Sequence, residues 1–185
     1  MGDVTFIRIP KNASTSLYAF FGMANTVRNE YLNADNDHHL NIFEPSHQSV
    51  ADLENNLGTQ ILDSPVLAVV RNPYERLVSM YFFARKHDLG MIYDIDTSDF
   101  TRFARGFYRL SADERFFHAM PQWRFMEHPR SGEFTVVRFE DLQDGIKAFI
   151  EHNELSFDTD NLECLNTTEH EHYSTYYNDE TKGIV

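Results

Sequence analysis

The sequence has little cysteine, few basic residues and no long apolar run, and each shortage excludes a class of protein. Cys164 is the only cysteine among 185 residues, so no intrachain disulfide can form and a secreted, disulfide-stabilised scaffold is excluded. Sixteen basic and 29 acidic residues give a net charge of −13, which argues against nucleic acid as a general partner. No apolar run approaches the ~20 residues of a membrane span, and no signal-like segment opens the chain. We expect a soluble, cytoplasmic protein.

Apolar residues make up 42% of the chain and aromatic residues 14%, which suffices for one substantial core and is short for two. Residues 1–185 are therefore predicted to form a single domain. A helix is expected over Ser49–Leu57 with Gly58 at its end. Two amphipathic helices are expected between Ser98 and His118, and a β-branched run over Phe134–Phe139 precedes a further helical pattern.

The most informative stretch is residues 4–17, in which a strand-like apolar run gives way to apolar residues at helical spacing. Val4, Phe6, Ile7 and Ile9 suit a buried strand, and apolar residues recur at helical spacing from Leu17 onward. Between them lies Pro-Lys-Asn-Ala-Ser-Thr-Ser, residues 10–16, which places a lysine and three hydroxyls where a helix presents its first amides. Such a junction suits an anion, although a helix capped by Ser14 or Thr15 is the simpler alternative. The glycines of a Walker A loop are absent.

A second strand-to-helix turn follows the apolar run 66–70, which is typical of a central parallel strand. Arg71 ends this run, Pro73 suits a first helical turn, and Ser79 comes two helical turns later. Ligands of open parallel sheets bind beyond the carboxyl ends of the strands, where Lys11 and Arg71 both fall. The simpler alternatives are a surface salt bridge for Arg71 and a backbone-bonded helical residue for Ser79.

These motifs together resemble a known enzyme family. PKNASTS resembles the 5′-phosphosulfate loop of sulfotransferases, especially the carbohydrate, heparan sulfate 2-O-like enzymes, and RNPYERLVSMY (71–81) resembles their 3′-phosphate segment. Weaker similarity is found at 134–142 and 172–182. The resemblance implies a three-layer α/β/α fold with a central parallel sheet, related to P-loop kinases. It also implies a cytoplasmic bacterial or virus-encoded form, because the animal enzymes are typically anchored in the Golgi membrane.

The resemblance further implies the roles of individual residues. The donor would be 3′-phosphoadenosine 5′-phosphosulfate (PAPS), and 3′-phosphoadenosine 5′-phosphate (PAP) would be the product. The 5′-phosphosulfate would lie against Lys11, Asn12, Ala13, Ser14, Thr15 and Ser16, while Arg71 and Ser79 would hold the 3′-phosphate. Lys11 would also be catalytic, stabilising or protonating the bridging oxygen.

The acceptor hydroxyl needs a base, for which we select His47, in the segment SHQSVADL between the two donor motifs. His38, His39 and Glu44 are the alternatives. A zinc site is not expected, because no cysteine lies near these histidines and no HExxH spacing occurs.

The acceptor is expected to be a neutral glycan or small glycoside, because basic residues outside the donor motifs are scattered.

Two other functions remain open. A small-molecule kinase would share the strand-loop-helix plan, and an inactive nucleotide-binding module would keep the loop without turnover.

Overall fold

The computed structural model describes residues 4–21, 47–111, 116–163, 165 and 169–185. Three strands and seven α-helices lie within these ranges. In chain order they are β1 (Thr5–Ile7), α1 (Ser14–Phe20), α2 (Val50–Leu57), β2 (Val66–Val70), α3 (Pro73–Lys86), α4 (Leu89–Tyr93), α5 (Phe100–Leu110), β3 (Thr135–Arg138), α6 (Leu142–His152) and α7 (Asp179–Lys182).

The strands form one parallel sheet in the order β1-β2-β3. Phe6 is paired with Leu67, and Val69 with Val137, so the strands end at the same edge. β2 is central and buried for its first four residues, as its uninterrupted apolar sequence requires. The predicted α/β class with a central parallel sheet flanked by helices is confirmed.

Residue contacts group the chain into two compact units, and the prediction of a single domain stays a prediction. Unit 1 comprises residues up to Val70 together with Gln122–Leu165, and unit 2 comprises Arg71–Pro121 together with Asn166–Val185.

Unit 1 holds the sheet and a hydrophobic core packed against one face of its strands. Side chains of β1, β2 and β3 pack with Leu17 and Phe21 from the first helical segment and with Ile146 and Phe149 from α6. The helix α6 approaches β3 closely at Gly145, where a Cβ atom would lie 2.4 Å from a methyl of Val137. Helix α2 begins after Ser49, whose side chain forms a capping box with Asp52.

Unit 2 has an aromatic core formed by α3, α5 and the C-terminal segment. Tyr81 lies 5.6 Å from Phe100 and 5.3 Å from Phe103, measured between ring centroids. The hydroxyl of Tyr177 donates to the carbonyl of Tyr74 at 2.7 Å, which attaches the C-terminal segment to the first turn of α3. The C-terminal segment also contains the single helical turn α7, which Asn178 caps together with Thr181.

Arg76 is buried in unit 2, and its guanidinium donates to the carbonyls of Met120 and His118 at 3.2 and 3.1 Å. Burial lowers the pKa of Arg76 to about 10, so the side chain stays charged at neutral pH. These bonds hold residues 118–120 in a non-helical turn. The second amphipathic helix predicted around Phe116 and Phe117 is therefore wrong, since the described residues there form a turn.

The segment Asn25–Gln48, predicted as a loop over the active face, lies outside the described residues up to position 46. Across the ranges that the structure describes, no helix combines the length and the apolar character needed to cross a bilayer.

Candidate functional site

The loop between β1 and α1 has an unusual backbone. Lys11 and Ala13 both adopt left-handed conformations, with φ of 66° and 57°, while Asn12 between them has a negative φ. Alternation of this kind is how backbone concavities point successive N–H groups at an anion. Left-handed conformation costs a non-glycine residue about 1 kcal/mol or more, so the surrounding structure must hold this loop in place.

Helix α1 begins at Ser14, and its N-cap residue is Ala13, whose side chain cannot cap. The alternative in which Ser14 or Thr15 caps the helix is therefore wrong. Ser14 is buried and Thr15 is exposed, while the hydroxyl of Ser16 accepts a hydrogen bond from the backbone amide of Leu165 at 2.8 Å. The three hydroxyls thus have three different environments, and Ser16 has a structural partner.

The side chain of Asn12 points into unit 1. Its Nδ2 donates to the carbonyl of Val69 at 2.8 Å and to Oε1 of Gln122 at 2.6 Å, and the residue is 1% exposed. Its Oδ1 is buried and accepts no hydrogen bond from the described residues. The amide therefore attaches the loop to the end of β2.

His47 is anchored to the beginning of the same loop. Its Nδ1 lies 2.7 Å from the carbonyl oxygen of Arg8, three residues before Lys11. A carbonyl can only accept, so Nδ1 carries a proton, and the lone pair of the neutral ring is on Nε2. The guanidinium of Arg8 lies over the ring of Tyr18 on α1, 4.4 Å from its centroid. His47 thus has the tautomer that suits a base acting through Nε2.

Arg71 and Ser79 belong to unit 2. Arg71 directly follows β2 in the chain, is 10% exposed at its side chain, and forms an ion pair with Glu75 whose Nε–Oε2 distance is 3.5 Å. Ser79 lies in α3 and is 5% exposed. Asn72 caps α3 through a bond from the amide of Tyr74, and Pro73 occupies its first position, as predicted.

The model of the sulfotransferase family matches residues 3–181 of the chain. This protein is a member of the sulfotransferase family. The match covers the loop, His47 and α3, and it supports sulfuryl transfer as the general chemistry. No curated protein and no solved structure gives a significant match.

Two further predictions for this sulfotransferase concern the alternative bases and a metal site. His38, His39 and Glu44, the alternatives to His47, lie outside the described residues. Within the described ranges, no group of three His, Cys, Asp or Glu side chains is close enough together to bind a metal ion.

Two residues of the site were missed by sequence reasoning. Gln122 contacts Asn12 of the loop although it is 110 positions away and has no periodic pattern, and Arg8 binds His47 through its carbonyl oxygen. The local Pro-Gln-Trp sequence at 121–123 was the only available signal, and it did not indicate a role.

Proposed function

We propose that this protein transfers the sulfuryl group of PAPS to a hydroxyl of a carbohydrate acceptor. The observation that supports this function best is the family match over 3–181 together with the loop 10–16, whose left-handed residues and lysine suit a phosphosulfate. The loop would bind the 5′-phosphosulfate, and Arg71 with Ser79 would bind the 3′-phosphate. The proposed mechanism uses no metal, because Lys11 and the backbone amides of the loop would supply the positive donors.

In the proposed reaction His47 acts as the general base. Its Nε2 takes the proton of the acceptor hydroxyl while the acceptor oxygen forms its bond to sulfur. Lys11 stabilises the negative charge on the bridging oxygen as the opposite S–O bond breaks and PAP leaves, and it can supply a proton to that oxygen. Sulfuryl transfer resembles phosphoryl transfer in needing attacking and leaving oxygens in line, so positioning is a large part of the catalysis.

The proposed acceptor is a neutral glycan or small glycoside. The chain has a net charge of −13, and two of the arginines that could bind a polyanion have acidic partners. Arg102 lies 2.9 Å from Asp96 and 3.1 Å from Asp99, and Arg105 pairs with Glu180. A polyanion would have to displace these carboxylates, whereas a neutral sugar would not. Acceptor affinity should therefore change little between low and physiological salt, and a steep fall with preference for heparan-like chains would contradict this proposal.

The decisive experiment incubates the protein with sulfur-labelled PAPS and a panel of sugars, polysaccharides, lipids and phenols. Labelled product from a sugar acceptor is expected. Parallel binding measurements with PAP and ATP separate the alternatives, because a kinase would prefer ATP, and an inactive nucleotide-binding module would bind PAP without forming any labelled product.

A further inference from the structure

The buried amide of Asn12 and the half-buried amide of Gln122 form a pair that joins the loop to a distant part of unit 1. Gln122 is the first residue of a 3₁₀ helix, Gln122–Met126, in which Phe125 is fully buried and fixes the element in place. The two hydrogens on Nδ2 of Asn12 are both used, one on Val69 and the other on Gln122. Asn12 thus has two fixed partners, one on β2 and one on the 3₁₀ helix.

The bond to Gln122 determines how well the side-chain amide of Asn12 is oriented. The terminal torsion of asparagine is broad, because it joins an sp³ carbon to an sp² carbon. A single bond to Val69 leaves the amide able to swing, whereas two bonds in different directions define its plane. Asn12 lies between Lys11 and Ala13, the two residues with positive φ. Fixing Asn12 therefore restricts both strained neighbours, and strained backbone persists only where its surroundings hold it.

We propose that Gln122 is a positioning residue of the sulfuryl-transfer site, which acts through Asn12 to keep residues 11–13 in the conformation that binds the 5′-phosphosulfate of the donor. The inference rests on the proposed function for the identity of the ligand. Gln122 itself contacts Asn12 and is assigned no contact with the donor or the acceptor.

The test compares two substitutions at Gln122 with a control. Gln122→Met has a side chain of similar length without the acceptor oxygen, and Gln122→Glu retains an oxygen that can accept from Asn12. Gln143→Met makes the same change at an exposed position of α6. Two quantities are measured for each: hydrogen exchange of the amides of residues 11–14, and the dissociation constant of PAP.

Gln122→Met should speed exchange at residues 11–14 by about tenfold and weaken PAP binding by about tenfold, which is roughly what one hydrogen bond is worth. Exchange in β1 and β2 should stay as in the wild type. Gln122→Glu should recover most of both losses, and Gln143→Met should change neither. Unchanged loop exchange in Gln122→Met, or equally increased exchange throughout unit 1, would overturn the inference.

A double-variant cycle tests whether Gln122 acts through Asn12. In an Asn12→Ala background, Gln122→Met should change loop exchange no further, because the shared bond is already lost. Additive effects would contradict the inference. Hydrogen exchange needs no ligand, so a wild-type protein that fails to bind PAP would disprove the proposed donor while the exchange data still decide the role of Gln122.

Discussion

The imidazole of His47 is held at Nδ1 by the carbonyl oxygen of Arg8, 2.7 Å away. Because this bond fixes the proton on Nδ1, the basic nitrogen is Nε2, and the ring is attached to the same loop as Lys11. The bond also gives His47 a structural task that is separate from its proposed role as the general base. The two tasks can be separated by substitution.

His47→Ala should lower kcat by about 100-fold or more, because the general base is lost, while PAP affinity stays nearly unchanged. His47→Asn should be equally slow, although its side-chain amide can still donate to Arg8. His152→Ala, at an exposed position of α6, is the control. If His47→Asn keeps wild-type turnover, the base has to be sought at His38, His39 or Glu44.

Lys11→Ala should lower kcat about 100-fold to 1,000-fold, as expected for the loss of a donor that stabilises developing charge, and should affect PAP affinity much less. Steady-state kinetics and PAP titration measure the two effects. Lys147→Ala changes an exposed lysine of α6 and should have no effect. A variant that loses donor affinity and kcat to the same extent would show that Lys11 binds the ground state as strongly as the transition state.

Saturating PAP, at about 100 times its dissociation constant, should raise the free energy of unfolding by about 2.7 kcal/mol. Adenosine monophosphate, which has no 3′-phosphate, should bind more weakly than PAP. Arg71→Ala should remove most of this preference because the proposed partner of the 3′-phosphate is lost, whereas Arg109→Ala, at an exposed position of α5, should not. Thermal shifts measured over a range of ligand concentrations supply the comparison. Equal affinity of the wild type for both nucleotides would remove the proposed role of Arg71 and Ser79.

Ala13→Gly should raise the free energy of unfolding by up to about 1 kcal/mol, because glycine adopts the left-handed region without the steric cost that alanine has at φ 57°. The gain is partly offset by the greater entropy of glycine in the unfolded chain. Ala148→Gly, within α6, should have the opposite sign and cost about 1 kcal/mol. Denaturant unfolding of the two variants measures the difference. If Ala13→Gly lowers the free energy of unfolding as Ala148→Gly does, the loop is not strained at Ala13.

Alkaline stability should depend on Tyr93. Burial raises the pKa of Tyr93 to about 12 from its ordinary value of 10, and its hydroxyl lies 2.7 Å from Nδ1 of His118. Because the folded state favours the neutral phenol, the resulting stability is complete below about pH 10 and is lost as the pH rises toward 12. Tyr93→Phe should therefore show a smaller fall in Tm between about pH 9 and pH 11. Tyr108→Phe, 58% exposed, should keep the wild-type slope.

Local sequence patterns predicted the elements of this fold well, because strands and helices are specified by nearby residues. The run at 66–70 became β2 with the predicted bounds, Gly58 ends α2 with φ 91°, and Pro73 begins α3. The prediction of a helix at Phe116 and Phe117 failed because Arg76 fixes the carbonyls beside them, a contact that spans more than 40 positions.

For the candidate site, the sequence indicates candidate residues but not the contacts that they make. A lysine and hydroxyls between a strand and a helix indicate an anion loop, and a histidine between two donor motifs indicates a base. The inward direction of Asn12 could not be predicted, because its partners Val69 and Gln122 are 57 and 110 positions away. The left-handed φ of Ala13 could not be predicted from the sequence either, since alanine usually avoids that region.

The bond from Tyr177 to the carbonyl of Tyr74 has a consequence for the order in which a growing chain can fold. Unit 1 has all its residues once Leu165 has been synthesised, whereas unit 2 needs residues 166–185 to complete its aromatic core. At ~5–20 residues per second, the ribosome adds the stretch from Pro121 to Tyr177 over several seconds. During that interval the aromatic side chains of α3 and α5 lack their last partners, and exposed apolar surface of this kind favours chaperone binding and aggregation.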